Sequence, residues 1–392
     1  MKRLNRKLRM GMVGGGPGAF IGNVHHKAAI LDGQVELVAG AFSSDPRKSK
    51  AKGRELRLDP ARAYASYGEM LEREMNLPEG KRIDFVSIVT PNHLHFSVAK
   101  AFLEAGVPVV CDKPMTFNVA EARKLQKIAR KQNRFFALTH NYTGYPMVKL
   151  ARDLLSRGEL GVVRKIVVQY PQGWLTTARG KSRKRLSSWR MDPQRCGAAG
   201  ALGDIGTHAE NLAEYLTGLR IRALCADLST FTPRQRVDDD DCILLRFENG
   251  ASGILQASRV AAGERNALAI WVYGENGGLE WHQQAPNELR VTKSGGREHI
   301  WRRGNPAIDA ISPTAARATR IPAGHPEGFL QAFANVYRNA TDSIRARILG
   351  EKPDPLALDF PNVDDGLRGM LFVNAALKSA QSKQKWTAMP LR

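Results

Sequence analysis

Side chains able to move protons or steady charge gather in three short stretches of this sequence. Cys111-Asp112-Lys113-Pro114 offers an amine that can donate to an oxygen gaining negative charge. Thr90-Pro91-Asn92-His93-Leu94-His95 offers a hydroxyl, an amide and two imidazoles. Gly200-Ala201-Leu202-Gly203-Asp204-Ile205-Gly206-Thr207-His208 ends on an aspartate and a histidine at positions i and i+4, which sets both on one face of a helix. Imidazole is the side chain whose ordinary titration lies nearest neutral pH, which suits proton exchange.

These stretches need elements to hold them, and the first half supplies alternating strands and helices. Residues 8–13 read as a short strand, followed by Gly14-Gly15-Gly16-Pro17-Gly18 and a helical stretch through Ala28 and Leu31. Glycines there let the chain turn tightly and let a pyrophosphate approach the amides at a helix N-terminus, where the partial positive charge lies. The spacing puts Ala19 in the third fingerprint place with Gly22 the next glycine, so the loop reads as a lengthened dinucleotide turn. Further strands are expected at 35–42, 85–89, 107–111 and 135–139, with a helix at 96–105, an alternation that argues for a parallel sheet. Ligands lie beyond the carboxyl ends of such strands, so the glycine turn, the Thr90 loop and the Lys113 loop are expected to face one crevice. At the end of the second strand, Ser43-Ser44-Asp45-Pro46-Arg47-Lys48 stands where an acidic residue ordinarily binds ribose hydroxyls. Ser43, Ser44 and Arg47 suit a 2′-phosphate while Asp45 could still reach a ribose, so the cofactor is NAD or NADP with a lean to NADP. The same residues also read as a helix cap before Pro46.

With 392 residues and 43% hydrophobic content the chain exceeds what one core usually organises, so two domains are expected. The character changes at Asn141-Tyr142-Thr143-Gly144-Tyr145-Pro146, which sets a dinucleotide-binding domain at 1–145 and a substrate-binding and oligomerisation domain at 146–392. Strand-like runs at 162–170, 221–229, 241–247, 251–258, 267–273 and 278–282 predict a mostly antiparallel open sheet in an α+β domain. Late helices at 329–348 and 363–381 are expected to return to the first domain. The four cysteines (Cys111, Cys196, Cys225, Cys242) form no CxxC pair, which argues against a disulfide framework or zinc cluster and suits a reducing cytoplasm. No apolar run approaches the ~18 residues of a membrane span, and the basic start is not a signal sequence, so a soluble chain is expected. The net charge of +21 raises nucleic acid as a partner, but the charge is dispersed and its densest run, 179–185, reads as a solvated loop. Asp238 to Asp241 lacks the glycine pattern of a calcium loop and reads as a solvated turn; no metal is expected.

In order and spacing, Thr90-Pro91-Asn92-x-x-His95, Asp112-Lys113-Pro114 and the glycine-rich run ending Asp204-x-x-x-His208 resemble the signature segments of the Gfo/Idh/MocA family of sugar and cyclitol dehydrogenases. The resemblance spans most of the chain. Where the family usually has Glu-Lys-Pro, often with a cis peptide, Asp112 shortens the acid and keeps the carboxylate. The turn ending Ala19-Phe20-Ile21-Gly22, with Ser43-Ser44-Asp45-Pro46 and His325-Pro326-Glu327-Gly328-Phe329, is most similar to the sugar-oxidising, levoglucosan dehydrogenase-like branch.

The resemblance implies a Rossmann domain holding a nicotinamide cofactor through Gly14, Gly16, Pro17, Ala19, Phe20, Ile21, Ser43, Ser44, Arg47, Thr90, Pro91, Asn92, His95, Asp112 and Lys113. It implies hydride transfer between a secondary alcohol carbon and the nicotinamide. Lys113 would bond the reacting oxygen, His208 would share the proton work, and Asp204 would hold substrate or tune the site. Tyr142, Trp174, Trp189, Arg190 and His325 are the further substrate ligands expected, the aromatics facing sugar rings and the others donating to hydroxyls. Plain packing explains Trp174 and Trp189 as well, and a helix start explains His325. A free face of the second sheet would pack on a partner subunit in a homodimer or homotetramer. Two other readings stay open, a keto-sugar reductase using NADPH and a non-catalytic nucleotide-sensing or nucleic-acid-associated protein.

Overall fold

A computed structural model describes residues 4–176, 189–233 and 235–390; the basic run at 179–185 lies outside them. The chain divides into two compact units, Met1–Asn141 with Leu330–Leu367, and Tyr142–Phe329 with Arg368–Arg392.

In the first unit β1 (Leu8–Gly14), β2 (Val35–Ala41), β3 (Phe85–Val89), β4 (Val109–Cys111) and β5 (Phe136–Leu138) run parallel in the order β2-β1-β3-β4-β5. This is the parallel Rossmann sheet expected. Every residue of β3 and β4 is buried, which is why these strands read as apolar runs rather than alternations. Between the strands come α1 (Phe20–Ile30), α2 (Pro46–Glu55), α3 (Tyr67–Met75), α4 (His95–Glu104) and α5 (Val119–Lys131). Asp45, Ser66 and Asn118 cap α2, α3 and α5 by accepting amide hydrogens of the first turn. Phe102 and Leu103 of α4 are wholly buried, each stabilising the unit by roughly 1.5–3 kcal/mol.

The second unit carries a nine-stranded sheet. Its strands are β6 (Val163–Pro171), β7 (Ile221–Ser229), β8 (Asp240–Phe247), β9 (Ser252–Ser258), β10 (Ala269–Gly274), β11 (Gly277–His282), β12 (Glu288–Lys293), β13 (Glu298–Arg302) and β14 (Thr387–Ala388). They lie in the order β13-β12-β11-β10-β6-β9-β8-β7-β14, antiparallel except for the parallel pair β6 and β9. The mostly antiparallel character matches expectation, while β12, β13 and β14 are additions. Charged residues break the apolar pattern of β12 and β13 because they end the sheet and half of their side chains meet water. Helix α6 (Pro146–Ser156) packs on β11 and β12, and α7 (Thr207–Thr217) on β6 and β9.

Two later helices follow, α8 (Phe329–Leu349) and α9 (Val363–Gln381). Most of α8 belongs to the first unit, and α9 runs through the division at Leu367. Within the second unit the Arg368 guanidinium lies against the buried Glu214 carboxylate at 2.7 Å and also donates to the carbonyls of Ile221 and Pro390. Removing one partner of so buried a pair costs about 3–5 kcal/mol, because the other charge is left without compensation. Among the described residues no helix is long and apolar enough to cross a membrane.

Candidate active site

The glycine turn is built by steric necessity. Gly14 has φ +91°, and a Cβ there would lie 2.6 Å from the Val89 carbonyl oxygen. A Cβ on Gly16 would lie 2.8 Å from the Phe42 carbonyl oxygen, and one on Gly22 would lie 2.4 Å from Gly15 Cα. The close strand–helix approach that the third fingerprint glycine allows is therefore made by Gly22, one turn into α1, and not at Ala19. Ala19 is the N-cap of α1, provides no side-chain cap, and is followed by a first turn without acidic residues. The opening amides of α1 thus keep their affinity for an anion. Pro17 and Phe20 are exposed at this turn and Ile21 is half-buried.

At the end of β2 the Asp45 carboxylate accepts from the amides of Arg47 (2.9 Å) and Lys48 (3.3 Å), and Ser43 Oγ accepts from the Asp45 amide at 3.2 Å. The helix-cap reading holds. Ser44 and Arg47 are exposed beside it.

His95 joins the two loops that follow β3 and β4. Its Nδ1 lies 2.7 Å from the Pro114 carbonyl oxygen and its Nε2 2.9 Å from that of Thr90. Burial pushes its proton affinity down, so a neutral ring donates to one carbonyl at a time. Both ring nitrogens are thereby turned inward, and His95 acts as a staple between loops. Thr90 Oγ1 is buried without a hydrogen-bond partner, while Pro91 caps the turn in which Asn92 is buried. The Lys113–Pro114 peptide is cis, and Lys113 is half-buried. Asp112 Oδ1 accepts from the Lys113 amide at 2.9 Å and from Thr139 Oγ1 at 3.2 Å. Burial opposes a charge on Asp112, but the polar contact of His25 and the positive charge nearby, that of Lys113 included, outweigh it and hold the carboxyl at about 2. His140, buried next to this loop, is pushed down to about 3 by burial and the Lys113 charge, so its imidazole is neutral.

The second unit holds its own cluster. A π-helical turn, Leu202–Gly206, leads into α7 and carries Asp204, with His208 in the first turn of the helix. Asp204 Oδ2 lies 2.9 Å from Arg259 Nη2 and 3.7 Å from Arg190 Nε. Arg259 is buried with its guanidinium over the Trp174 ring, and Arg190 stacks on Trp189. His208 meets the Tyr142 ring edge to face at 4.8 Å. The Tyr142 hydroxyl bonds Tyr170, Asn266 donates to it at 3.2 Å, and a chain continues through Gln172 to Trp174 Nε1. Tyr142 is thus buried support beneath His208. The His325 side chain is exposed, and its carbonyl is held by Arg303, whose buried ion pair with Glu327 (2.9 Å) ties the segment down.

These two clusters coincide with two known sequence patterns. Residues 8–140 match the model described as oxidoreductase family, NAD-binding Rossmann fold, and 148–280 match the GFO/IDH/MocA C-terminal domain. The chain belongs to the Gfo/Idh/MocA oxidoreductase family. A solved oxidoreductase from Sinorhizobium meliloti is 45% identical, with 97% of this chain and 99% of that one covered and a TM-score of 0.86. An inositol dehydrogenase homologue from Azotobacter vinelandii, solved with NADH and myo-inositol, is 34% identical over 99% of both chains with a TM-score of 0.89. Levoglucosan dehydrogenase of Pseudarthrobacter phenanthrenivorans is 29% identical over 73% of this chain and 76% of its own.

Within this Gfo/Idh/MocA chain, several supporting residues escape a reading of motifs. His25, His140 and Arg259 sit in stretches with no signature, and only the fold shows that they pack around Asp112 and Asp204. Asp238 to Asp241 corrects an expectation, because Asp238, Asp239 and Asp241 are buried and not a solvated turn. Asp238 accepts from the amides of Gly200 (2.6 Å) and Leu202 (2.7 Å), fixing the entry to the turn that carries Asp204, and Asp239 accepts from Phe231 and Thr232. Burial and the neighbouring Asp238 push the Asp241 carboxyl well above the usual range. A run of acids looks hydrophilic in sequence, but each of the first two is repaid by backbone amides.

Proposed function

We propose that this oxidoreductase removes a hydride from a secondary alcohol carbon of a cyclitol, sugar or anhydrosugar, with a nicotinamide dinucleotide as acceptor. The observation carrying this reading is the Lys113 loop, whose amine stands on a backbone fixed by Asp112, Thr139 and His95 in the unit that holds the glycine turn. The free amides opening α1, the cradle at Gly14 and Gly16 and the unpartnered Thr90 Oγ1 suit a dinucleotide. Gly14, Gly16, Pro17, Ala19, Phe20 and Ile21 would border its pyrophosphate, Ser43, Ser44 and Arg47 its adenosine end, and Thr90, Pro91, Asn92 and Lys113 its reactive end. When bound, the nicotinamide supplies the two-electron acceptor.

The protein's part is to orient the alcohol and to handle its proton. Lys113 donates to the alcohol oxygen and steadies the charge that builds as the C–H bond breaks. His208 takes up the hydroxyl proton in concert with Lys113, while Asp204, fixed by two arginines, accepts from a neighbouring hydroxyl. Trp174, Trp189, Arg190 and His325 supply ring-facing surface and donors. We take NAD over NADP, reversing the lean from sequence, because a 2′-phosphate at the end of β2 would meet the Asp45 carboxylate and the inositol dehydrogenase homologue carries NADH. That relative is also the reason to place cyclitols beside levoglucosan-type sugars as substrates. The chain is proposed to work in the cytoplasm as a homo-oligomer joined through the open face of the second sheet.

A double-mutant cycle tests the shared proton work. Lys113→Ala and His208→Gln should each lower kcat/KM by about 10²–10⁴-fold, and the double variant should fall little further, as for groups that act as a unit. Cofactor affinity should stay near wild type. A fully active Lys113→Ala enzyme would remove the role assigned to the lysine.

A further inference from the structure

Behind the Lys113 loop, three elements of the first unit bring together polar side chains that the proposed reaction does not use. His25 of α1 is wholly buried, its Nδ1 2.7 Å from the Tyr337 hydroxyl of α8. That hydroxyl is 2.7 Å from Ser87 Oγ of β3, which is itself 3.4 Å from the same Nδ1. On the other side of the ring, His25 Nε2 lies 3.6 Å from Asp112 Oδ1, longer than a hydrogen bond, and has no hydrogen-bond partner. The ring is locked by edge contacts with Phe333 at 4.7 Å and Tyr337 at 5.7 Å.

Two facts decide where the protons sit. An imidazole with a bare Nε2 would aim a lone pair at an ionised carboxylate, which is repulsive at this distance and depth. The phenol, kept protonated by burial, has one hydrogen and two neighbours that could receive it. From this geometry we infer that His25 is a positioning residue for Lys113: it carries its proton on Nε2, facing Asp112, and accepts at Nδ1 from Tyr337, which accepts from Ser87. The direction of donation then runs Ser87 to Tyr337 to His25 and on to the carboxylate. Asp112 Oδ1 in turn receives the Lys113 amide and Thr139 Oγ1, so the ring fixes the acceptor on which the Lys113 backbone hangs. The charged and titratable groups around Asp112 are His25, Lys113, His95, His140, Cys111 and Tyr337. Asp112 is one methylene shorter than the acid the resemblance leads one to expect, and the buried ring facing it compensates by polar attraction across the gap.

The inference rests on the proposed role of Lys113 for its consequence, but not for its proton placement, and the experiment separates the two. Full-length protein with ¹⁵N-labelled histidine is measured in the absence of substrate, the His25 resonances being identified by their loss in His25→Gln. A protonated Nε2 and a bare Nδ1 whose resonance moves in Tyr337→Phe are expected; a bare Nε2 overturns the inference. In turnover, Tyr337→Phe and His25→Ala should lower kcat roughly tenfold or more while the cofactor KM holds and the pH profile of kcat shifts. His25→Gln, whose amide can still donate toward Asp112, should recover part of the loss. Wild-type kcat and pH profile in both Tyr337→Phe and His25→Ala would also overturn it. A wild-type enzyme inactive on every polyol sinks the reading of the reaction, and the imidazole resonances still decide the proton placement.

Discussion

Asp112 carries a charge although burial opposes one, whereas burial and the Lys113 charge keep His140 neutral, and each preference is lost as protons are added. The two therefore act alike on stability. Below the ordinary histidine range, near 6.5, the unfolded chain takes up protons that His140, held at about 3, and His95 refuse in the folded state. Stability should decline as pH falls from that point. Asp112, held at about 2, adds stability that is fully present above its unfolded value near 3.9 and is lost as pH falls through 2. Thermal melts from pH 7.5 to 4.5 should show a falling midpoint, and His140→Asn should flatten the part above pH 4.5; a midpoint independent of pH would contradict these assignments. Lys113, Asp204 and His208 were legible in the sequence because their spacing is a pattern. The environment of each was not: the arginines on Asp204 and the imidazoles around Asp112 come from positions distant along the chain, brought close only by packing.

The start of α1 comes close to the glycine turn where Gly22 meets Gly15. With a Cβ on Gly22 only 2.4 Å from Gly15 Cα, Gly22→Ala must push the helix away from the turn, although alanine favours helices by about 1 kcal/mol over glycine. Dinucleotide affinity, measured by titration calorimetry, should weaken at least tenfold, whereas the same change at the open Gly18 should cost far less from contact. Equal affinity in Gly22→Ala and wild type would show that the close approach is not what holds the turn. The sequence reading placed the strands and helices of this half well, since buried parallel strands are short apolar runs punctuated by glycine and asparagine. Spacing puts Ala19 in the third fingerprint place and reads the loop as lengthened, and the close contact falls three residues on, at Gly22. In the second unit β12 and β13 are hidden by their alternating charges, and the acidic run misleads because backbone amides, not water, satisfy Asp238 and Asp239.

The open sheet leaves an apolar row across four strands, where Leu244 of β8 pairs with Ile254 of β9, Ile254 with Val167 of β6, and Val167 with Trp271 of β10. Leu244 and Ile254 are 47% and 38% exposed, so this row presents adjoining apolar side chains to the outside. If the proposed homo-oligomer forms through this row, Leu244→Glu with Ile254→Glu should keep the circular dichroism of the wild type and shift sedimentation toward a single chain; an unchanged sedimentation coefficient would contradict the proposal. The net charge of +21 has no counterpart in the sites described. For the whole molecule the central proposal is that a polyol gives up a hydride to a nicotinamide under the control of Lys113. The most direct measurement follows absorbance of the reduced nicotinamide with inositols, sugars and anhydrosugars, each with NAD and with NADP. Reduction of NAD by at least one cyclitol or sugar, faster than of NADP and abolished in Lys113→Ala, is the predicted result. No reduction with any polyol and either cofactor, while the protein binds duplex DNA at physiological salt, would contradict it.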